Sequence, residues 1–221
     1  MEVKVMKNVL AMNDEAAAEN AALFQRNGIF VLNLMGSPGA GKTTLLERTL
    51  EALKDEMRLA VIEGDLFTSK DAERIDRLGV PVVQINTSGG CHLDAPMIKS
   101  ALSSLDLAAL DMLIIENVGN LVCPAEFELG QDKKAVVLSI TEGDDKPLKY
   151  PLMFKEADAA LLNKIDLLPY TDFDLESATD DIRTLHPGIE VMAIACRTAE
   201  GLPAWLSWLR KNVREKKEAA R

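Results

Sequence analysis

The sequence predicts a three-layer α/β fold, in which a mostly parallel sheet carries helices on both faces. Three observations lead to this class. Short apolar runs alternate with helical patterns along the chain, and a glycine-rich loop joins the first run to the helix that follows. The composition, 48% hydrophobic and 27% charged over 221 residues, allows a sizeable core. Such sheets bind ligands beyond the carboxyl ends of their strands.

The elements begin with a predicted helix over residues 14–26, which is rich in alanine and other helix formers. Residues 29–35 form an apolar run that ends at a glycine, as is typical of a strand buried on both faces. Helical periodicity follows over residues 43–56. Further strands are predicted at residues 59–62, 80–85, 112–115, 135–140, 159–162 and 190–194, and further helices at residues 71–78, 95–105, 175–185 and 202–213.

Charge and composition exclude several classes of protein. The 25 Lys and Arg against 35 Asp and Glu leave a net charge of −10, which repels a phosphate backbone, so no nucleic-acid partner is expected. The apolar runs are much shorter than the ~20 residues of a membrane span, so no membrane association is expected. Three cysteines and two histidines provide no disulfide framework, which favours a cytoplasmic location.

Residues 36–43 read G-S-P-G-A-G-K-T and fit the phosphate-binding pattern G-x-x-x-x-G-K-[ST] between a strand and a helix. The glycines let backbone N–H groups approach phosphates, and the helix N-terminus adds its positive dipole end. Lys42 is expected to reach the β- and γ-phosphates, and the Thr43 hydroxyl to coordinate Mg²⁺. The predicted phosphate-binding residues are Gly36, Pro38, Gly39, Ala40, Gly41, Lys42, Thr43 and Thr44.

Two later segments predict the base that is bound. Asn163, Lys164 and Asp166 fit the N-K-x-D motif of GTPases, in which the aspartate accepts two hydrogen bonds that guanine donates and adenine cannot. We therefore expect GTP and GDP as ligands. Cys196 follows the strand at 190–194, where its backbone N–H could reach the guanine oxygen. The related loops read Ser-Ala-x, and this chain departs from them with Ala195 and Cys196.

Acidic residues at two further strand ends are candidates for metal and water. Glu116 ends the apolar run at 112–115 and is expected to hold Mg²⁺ through water, with Gly119 as the switch glycine. Asp65 follows the strand at 59–62 and is expected to hold Mg²⁺ or to orient the attacking water. With Lys42, these acids make up the predicted catalytic set of a Mg²⁺-dependent GTPase that yields GDP and phosphate.

A soft-metal site is predicted from Cys91, His92 and Cys123. Two thiolates and one imidazole suit Zn²⁺ or Ni²⁺ and disfavour Mg²⁺ and Ca²⁺. Three ligands do not close a tetrahedron, so the fourth must be water or a residue of a second subunit related by two-fold symmetry. The residues alone also allow a simpler interpretation, in which the cysteines are small apolar side chains and the histidine lies at the surface.

Longer runs resemble the HypB family of hydrogenase nickel-incorporation GTPases. They are E-N-V-G-N-L-V-C-P at 116–124, C-H-L-D-A at 91–95, T-E-G-D-D-K-P-L-K-Y-P at 141–151 and N-K-I-D-L-L-P-Y at 163–170. The resemblance extends from about residue 30 to 210. Urease accessory GTPases are similar in the phosphate loop and in a Cys-x-His pattern, but they lack the run at 116–124.

The resemblance implies a SIMIBI-class P-loop fold that dimerises when GTP binds, with Cys91, His92 and Cys123 holding nickel or zinc at the dimer interface. It also implies that GTP hydrolysis drives nickel delivery to the [NiFe]-hydrogenase large-subunit precursor, with the nickel-binding partner HypA. Many members carry a histidine-rich stretch or a Cys-x-x-Cys-Gly-Cys motif, whereas residues 1–28 contain neither histidine nor cysteine. Nickel storage is therefore not expected.

We expect a helical extension at residues 1–28 packed on a GTPase domain at residues 29–213, followed by a charged tail at residues 214–221. Three alternative functions stay open. The chain could serve another nickel enzyme such as urease, or it could be a nucleotide-dependent interaction module with structural cysteines. An ATP-using kinase is the third, and the motif at 163–166 disfavours it.

Overall fold

A computed structural model describes residues 9–66 and 69–220. Its centre is a sheet of seven strands in the order β3-β2-β4-β1-β5-β6-β7, and every strand pairing in it is parallel. The strands are β1 Phe30–Gly36, β2 Leu59–Asp65, β3 Val82–Asn86, β4 Met112–Glu116, β5 Lys133–Ser139, β6 Ala159–Asn163 and β7 Glu190–Ile194. The predicted sheet is confirmed.

Helices cover both faces of this sheet. They are α1 Val9–Asn27, α2 Lys42–Leu53, α3 Lys70–Asp76, α4 Ala95–Leu102, α5 Cys123–Glu126, α6 Lys146–Lys149, α7 Pro151–Glu156, α8 Leu175–Leu185 and α9 Leu202–Ala219. Apolar side chains of α2, α3 and α9 share one core with one face of the sheet. Those of α1 and α4 pack on β1, β2 and β4 on the opposite face, and those of α7 and α8 pack on β5 and β6 there. The predicted three-layer class is confirmed.

Element bounds differ from the prediction mainly at the chain ends and between β5 and β6. Helix α1 begins at Val9 rather than at residue 14, and α9 continues past residue 213 to Ala219. The short helices α6 and α7 were not predicted. Pro147 and Pro151 lie in their first turns, which proline tolerates, but the same residues interrupt the longer periodicity that marks a helix in sequence. Residues 1–8 of the predicted extension lie outside the described residues.

Two buried asparagines attach α1 to the rest of the structure. Asn13 Nδ2 donates to the Glu128 carbonyl at 2.8 Å, and the Ala95 backbone N–H donates to Asn13 Oδ1 at 2.8 Å. Asn20 Nδ2 donates to the carbonyls of Ala95 and Leu129 at 3.0 and 3.1 Å. Helix α1 therefore ties the start of α4 to the segment that follows α5. These two points lie shortly after the predicted metal ligands in the chain.

Among the described helices, none is long and apolar enough to cross a membrane.

Candidate nucleotide site and metal centre

The loop between β1 and α2 has the shape of a phosphate cradle. Gly41, which precedes the first residue of α2, has a φ of +100°, in the region that favours glycine. A Cβ atom there would lie 2.4 Å from Asn163 Nδ2, which is too close for any side chain. The position therefore requires a glycine, and it leads directly into the N-terminus of α2, the kind of element that binds anions.

Lys42 lies buried in the loop that it is predicted to serve, with an exposure of 7%. Its Nζ donates to the carbonyls of Gly36 at 3.3 Å and Ser37 at 3.2 Å. Burial lowers the pKa of Lys42, and the negative charges of Glu116 and Glu142 oppose this effect. Glu142 also accepts a hydrogen bond from the Ser37 hydroxyl. The ammonium group is thus positioned within the cradle by interactions that phosphate oxygens could replace.

Thr43 and Glu116, both predicted magnesium residues, are in contact. The Thr43 hydroxyl donates to Glu116 Oε1 at 2.9 Å. Burial raises the pKa of Glu116 to about 7, although Lys42 and the Thr43 hydrogen bond act in the opposite direction. The other carboxylate oxygen, Oε2, has no hydrogen-bond partner within the described ranges. A hydroxyl and an unpartnered carboxylate oxygen are hard donors, so this pair fits Mg²⁺.

Glu63 is a site residue that the sequence analysis missed. It lies at the position of β2 that is in register with Glu116 of β4, so the two carboxylates are neighbours. Burial raises the pKa of Glu63 to about 8, and the charges of Glu116 and Asp65 add to the effect. Carboxylate oxygens of Glu63, Asp65 and Asp71 lie within 4.8 Å of one another. The sequence feature that could have identified Glu63 was the presence of a glutamate in an otherwise apolar strand.

Two adjoining cavities lie over the cradle. The larger, of about 490 Å³, is lined by phosphate-loop residues together with Glu63, Asp65 and Glu116. The smaller, of about 220 Å³, is lined by residues of the predicted base motif. Both are bordered by Gly41, Thr44 and Lys164, so together they form one elongated space with a phosphate end and a base end. Most of the predicted phosphate-binding residues line these cavities. Pro38, Gly39, Lys42, Thr43 and Gly119 line the larger one, whereas the buried Gly36 and Ala40 line neither.

The base end is connected to the phosphate loop by the predicted motif. Asn163 Nδ2 donates to the Ala40 carbonyl at 2.9 Å, and Lys164 Nζ donates to the Gly39 carbonyl at 2.7 Å. Asp166 and Cys196 line the smaller cavity. The Cys196 backbone N–H, predicted to reach a guanine oxygen, here donates to Asn163 Oδ1 at 3.3 Å. Its contact with a base stays a prediction.

The cysteine of this pocket is kept in its neutral form. Cys196 has an exposure of 4%, and burial raises the pKa of its thiol to about 11. A hydrogen bond with Asn163 and the charge of Arg48 limit the shift. A protonated thiol is a weak metal ligand and a poor nucleophile. Cys196 therefore contributes shape to the base pocket rather than charge.

The three predicted soft-metal ligands lie together at the surface. Cys91 Sγ is 3.1 Å from Cys123 Sγ and 3.5 Å from His92 Nδ1, and the ligand atoms of all three lie within 4.8 Å of one another. The neighbouring Cys91 thiol raises the pKa of Cys123 above its ordinary value. The His92 ring lies 3.9 Å from the Phe127 ring, between centroids, and burial lowers its pKa. Two sulfurs and a neutral imidazole make a suitable set for nickel or zinc.

Asn120 connects this cluster to the phosphate loop. Its backbone N–H donates to the Gly36 carbonyl at 2.9 Å, and its side-chain Nδ2 donates to the Cys91 carbonyl at 3.2 Å. Gly119, the predicted switch glycine, packs against Pro38, where a Cβ atom would lie 2.9 Å from Pro38 Cα. The segment between Glu116 and Cys123 thus contacts the cradle and the metal cluster together.

The sheet and cradle define a P-loop nucleotide-binding protein, and comparisons with known proteins agree. The family model for the CobW/HypB/UreG nucleotide-binding domain matches residues 30–193. The hydrogenase maturation factor HypB of Azotobacter vinelandii is 54% identical over 209 residues, which cover 95% of this chain and 69% of that protein. The hydrogenase/urease maturation factor HypB of Helicobacter pylori is 42% identical over 218 residues, which cover 97% of this chain and 89% of that protein.

A solved structure agrees as well. The crystal structure of HypB from Helicobacter pylori in complex with nickel superposes with a TM-score of 0.88 at 41% sequence identity, covering 93% of this chain and 97% of that one. The chain therefore belongs to the HypB family of hydrogenase maturation factors. This membership confirms the resemblance found in the sequence and, with it, the GTPase class and the α/β P-loop fold.

Proposed function

We propose that this chain binds nickel or zinc at Cys91, His92 and Cys123 and uses GTP binding and hydrolysis to control release of the metal during [NiFe]-hydrogenase maturation. The observation that carries this proposal is the connection through Asn120, whose two hydrogen bonds join the Gly36 carbonyl to the Cys91 carbonyl. A change in the cradle that moves one of these partners also moves the other.

The GTPase part of the proposal assigns a task to each group around the cradle. The loop amides and the N-terminus of α2 hold the phosphates, and Lys42 balances charge that develops on the β- and γ-phosphates. Thr43 and Glu116 would hold Mg²⁺, which supplies further neutralisation of the phosphates when bound. Asp65 lies beside them, and we assign it the orientation of the attacking water or a contact with the magnesium shell.

Guanine selectivity is assigned to Asp166 at the base end of the cavity. An Asp166→Asn substitution replaces an acceptor with a donor, so the variant is expected to lose GTP binding and to gain binding of xanthosine triphosphate. Competition of the two nucleotides for the wild-type and variant chains measures the switch. A variant that keeps the wild-type preference would remove guanine recognition from this residue, and equal binding of ATP would favour the kinase alternative.

Metal transfer is supported by the exposure of the sulfur site. Cys91 is exposed and Cys123 is partly exposed, so a partner can reach the ligands directly. The exposed Val122 beside them, at 50%, offers an apolar contact for a second subunit. We infer a GTP-dependent homodimer in which the metal lies between two copies. Mass and metal content of the GTPγS-bound chain test this, with one metal site per chain in a dimer expected. A metal-free monomer in every nucleotide state would refute it.

The partners we infer are a HypA-type nickel chaperone, as the source of nickel, and the [NiFe]-hydrogenase large-subunit precursor, as its acceptor. The working compartment is the cytoplasm, because Cys91 and Cys123 can ligate metal only in the reduced state. Loading of the precursor with nickel, measured with and without GTP, tests the assignment. The reconstituted transfer is expected to need both hydrolysable GTP and intact Cys91 and Cys123.

Urease is a second candidate target, because the Helicobacter pylori relative is a hydrogenase/urease maturation factor. Genetic complementation distinguishes hydrogenase from urease as the target. The chain would restore hydrogenase activity to a strain that lacks its own HypB, and urease activity would be restored only if both enzymes are served. The interaction-module alternative predicts that Cys91→Ala and Cys123→Ala leave metal stoichiometry unchanged.

A further inference from the structure

Glu63 is a buried carboxylate in the nucleotide cavity without a role in the chemistry assigned above. It lies near the end of β2, has an exposure of 3% and lines the larger cavity. Its Oε2 atom has no hydrogen-bond partner in the part of the chain that the structure describes. Removing a carboxylate oxygen from water without supplying a donor is unfavourable, so such an oxygen is suited to a cationic ligand.

The surroundings of Glu63 are mainly negative. Glu116 is its register partner on β4, Asp65 lies on the same face of β2, and Asp71 approaches from α3. Two cations lie nearby: the Lys42 ammonium donates to two carbonyls of the phosphate loop, and Arg74 is bonded to Asp71. Bound phosphates would engage Lys42 as well. The carboxylates then need a further positive charge to remain together.

Asp71 is held in position by Arg74, which lies on the same helix, α3. Arg74 donates to Asp71 Oδ1 at 2.9 Å and to both carboxylate oxygens of Glu47 on α2 at 2.8 and 2.6 Å. This arginine therefore holds α3 against α2. Its contacts keep the Asp71 carboxylate within reach of those of Glu63 and Asp65 without occupying all of its acceptor sites.

We propose that Glu63 is a direct ligand of the divalent cation that accompanies the nucleotide, in a carboxylate set completed by Asp65 and Asp71. The proposal rests on the Mg²⁺-dependent GTPase function described above and adds residues to its cation site. All donors are hard oxygens, which suit Mg²⁺ or Mn²⁺, whereas the sulfur cluster suits nickel or zinc. The chain thus sorts its two metals by ligand chemistry across the segment from Glu116 to Cys123.

Calorimetric titration of Mg²⁺ into the full chain saturated with GTPγS tests the proposal. Glu63→Gln is expected to weaken Mg²⁺ binding by about tenfold or more. The matched control, Glu176→Gln, alters an exposed acid on α8 and is expected to keep wild-type Mg²⁺ affinity. Binding of GTPγS in excess EDTA is expected to be the same for all three proteins, because the substitution removes a cation ligand and not a nucleotide contact.

Thermal unfolding of the unliganded chain provides a readout that a structural role would not give. At pH 9, where the Glu63 carboxyl is ionised, Glu63→Gln is expected to raise the unfolding temperature, because the amide removes a buried negative charge beside Glu116. A glutamate needed only for packing would lower the unfolding temperature when replaced. Glu63→Asp keeps the charge, shortens its reach and is expected to lose Mg²⁺ affinity as well. Wild-type Mg²⁺ affinity in both variants would overturn the proposal. A wild-type chain that binds no GTPγS would overturn the GTPase function and this inference with it.

Discussion

The nucleotide site and the sulfur site lie in the same molecule but are built in opposite ways. Lys42 and Glu116 are buried, with exposures of 7% and 4%, and are held by bonds to residues from different elements. Cys91 lies on an exposed loop and Cys123 is the partly exposed first residue of α5, and the closest partner of each sulfur is the other. The proposed functions need this difference, because a buried site would keep a fixed geometry for catalysis, while an exposed site would allow a metal to enter and leave.

Removal of the cradle ammonium is expected to have the largest effect. Lys42→Ala should lower kcat for GTP hydrolysis by about 100- to 1000-fold, the usual cost of losing a group that stabilises developing charge. Phosphate release under GTP saturation measures it. Because the substitution removes a desolvated charge and no member of the apolar core, the variant is expected to stay folded by circular dichroism. A variant that hydrolyses GTP at the wild-type rate would contradict the assigned role.

Loss of one cluster sulfur should weaken metal binding at the sulfur site and leave the nucleotide site unchanged. Cys91→Ala is expected to weaken Ni²⁺ binding by about 100-fold or more, since even loss of a group that supports a ligand costs about 10- to 100-fold. The matched control is Cys196→Ala, which removes the thiol that does not belong to the cluster. Metal content after gel filtration should fall for the first variant and stay at the wild-type value for the second. Equal metal content in both would indicate structural cysteines.

Thiol reactivity compares the two regions directly. Burial raises the pKa of Cys196 to about 11, so the neutral form dominates below that pH and the thiolate that reacts is scarce. At pH 8 the metal-free chain should alkylate the buried Cys196 at least about tenfold more slowly than the exposed Cys91, with the Cys196 rate rising about tenfold per pH unit up to its pKa. Mass spectrometry of peptides after timed iodoacetamide treatment measures both rates. Similar rates at pH 8 would show that the pocket is open.

The smallest effect is expected at the connection between the regions. Asn120→Ala removes the hydrogen bond that Nδ2 donates to the Cys91 carbonyl and the one that Oδ1 accepts from the Val122 N–H, and it keeps the backbone bond to Gly36. The coupling between nucleotide and metal should fall by roughly 0.5–2 kcal/mol, about 2- to 30-fold in the affinity ratio. Ni²⁺ affinities with GDP and with GTPγS provide that ratio. Asn27→Ala, whose amide bonds only its own helix, is the control and should leave the ratio unchanged.

The two regions also differ in how far sequence could predict them. The cradle follows from a local pattern, because the shape of a glycine-rich turn before a helix is determined by adjacent residues such as Gly41 and Lys42. The sulfur cluster joins a loop residue to the first residue of α5, and only the family resemblance brought Cys91 and Cys123 together. Spacing along the chain carries no information about such contacts.

Glu63 shows the same limit within the nucleotide site. Its importance comes from the parallel register that places it beside Glu116, which the pattern of a single strand cannot provide. The fold was more accessible, since β7 and α8 have the predicted bounds, Glu190–Ile194 and Leu175–Leu185. The short α6 and α7 escaped prediction because each is little more than one turn and has a proline in its first turn.

The central claim is that nucleotide state sets metal affinity, and reciprocal binding measurements on the full chain test it most directly. Ni²⁺ affinity should differ between the GTPγS-bound and GDP-bound chain by at least about fivefold, and Ni²⁺ should change the ratio of GTPγS to GDP affinity by the same factor, as linkage requires. Equal Ni²⁺ affinities in the two nucleotide states, with intact binding of both nucleotides, would contradict the account.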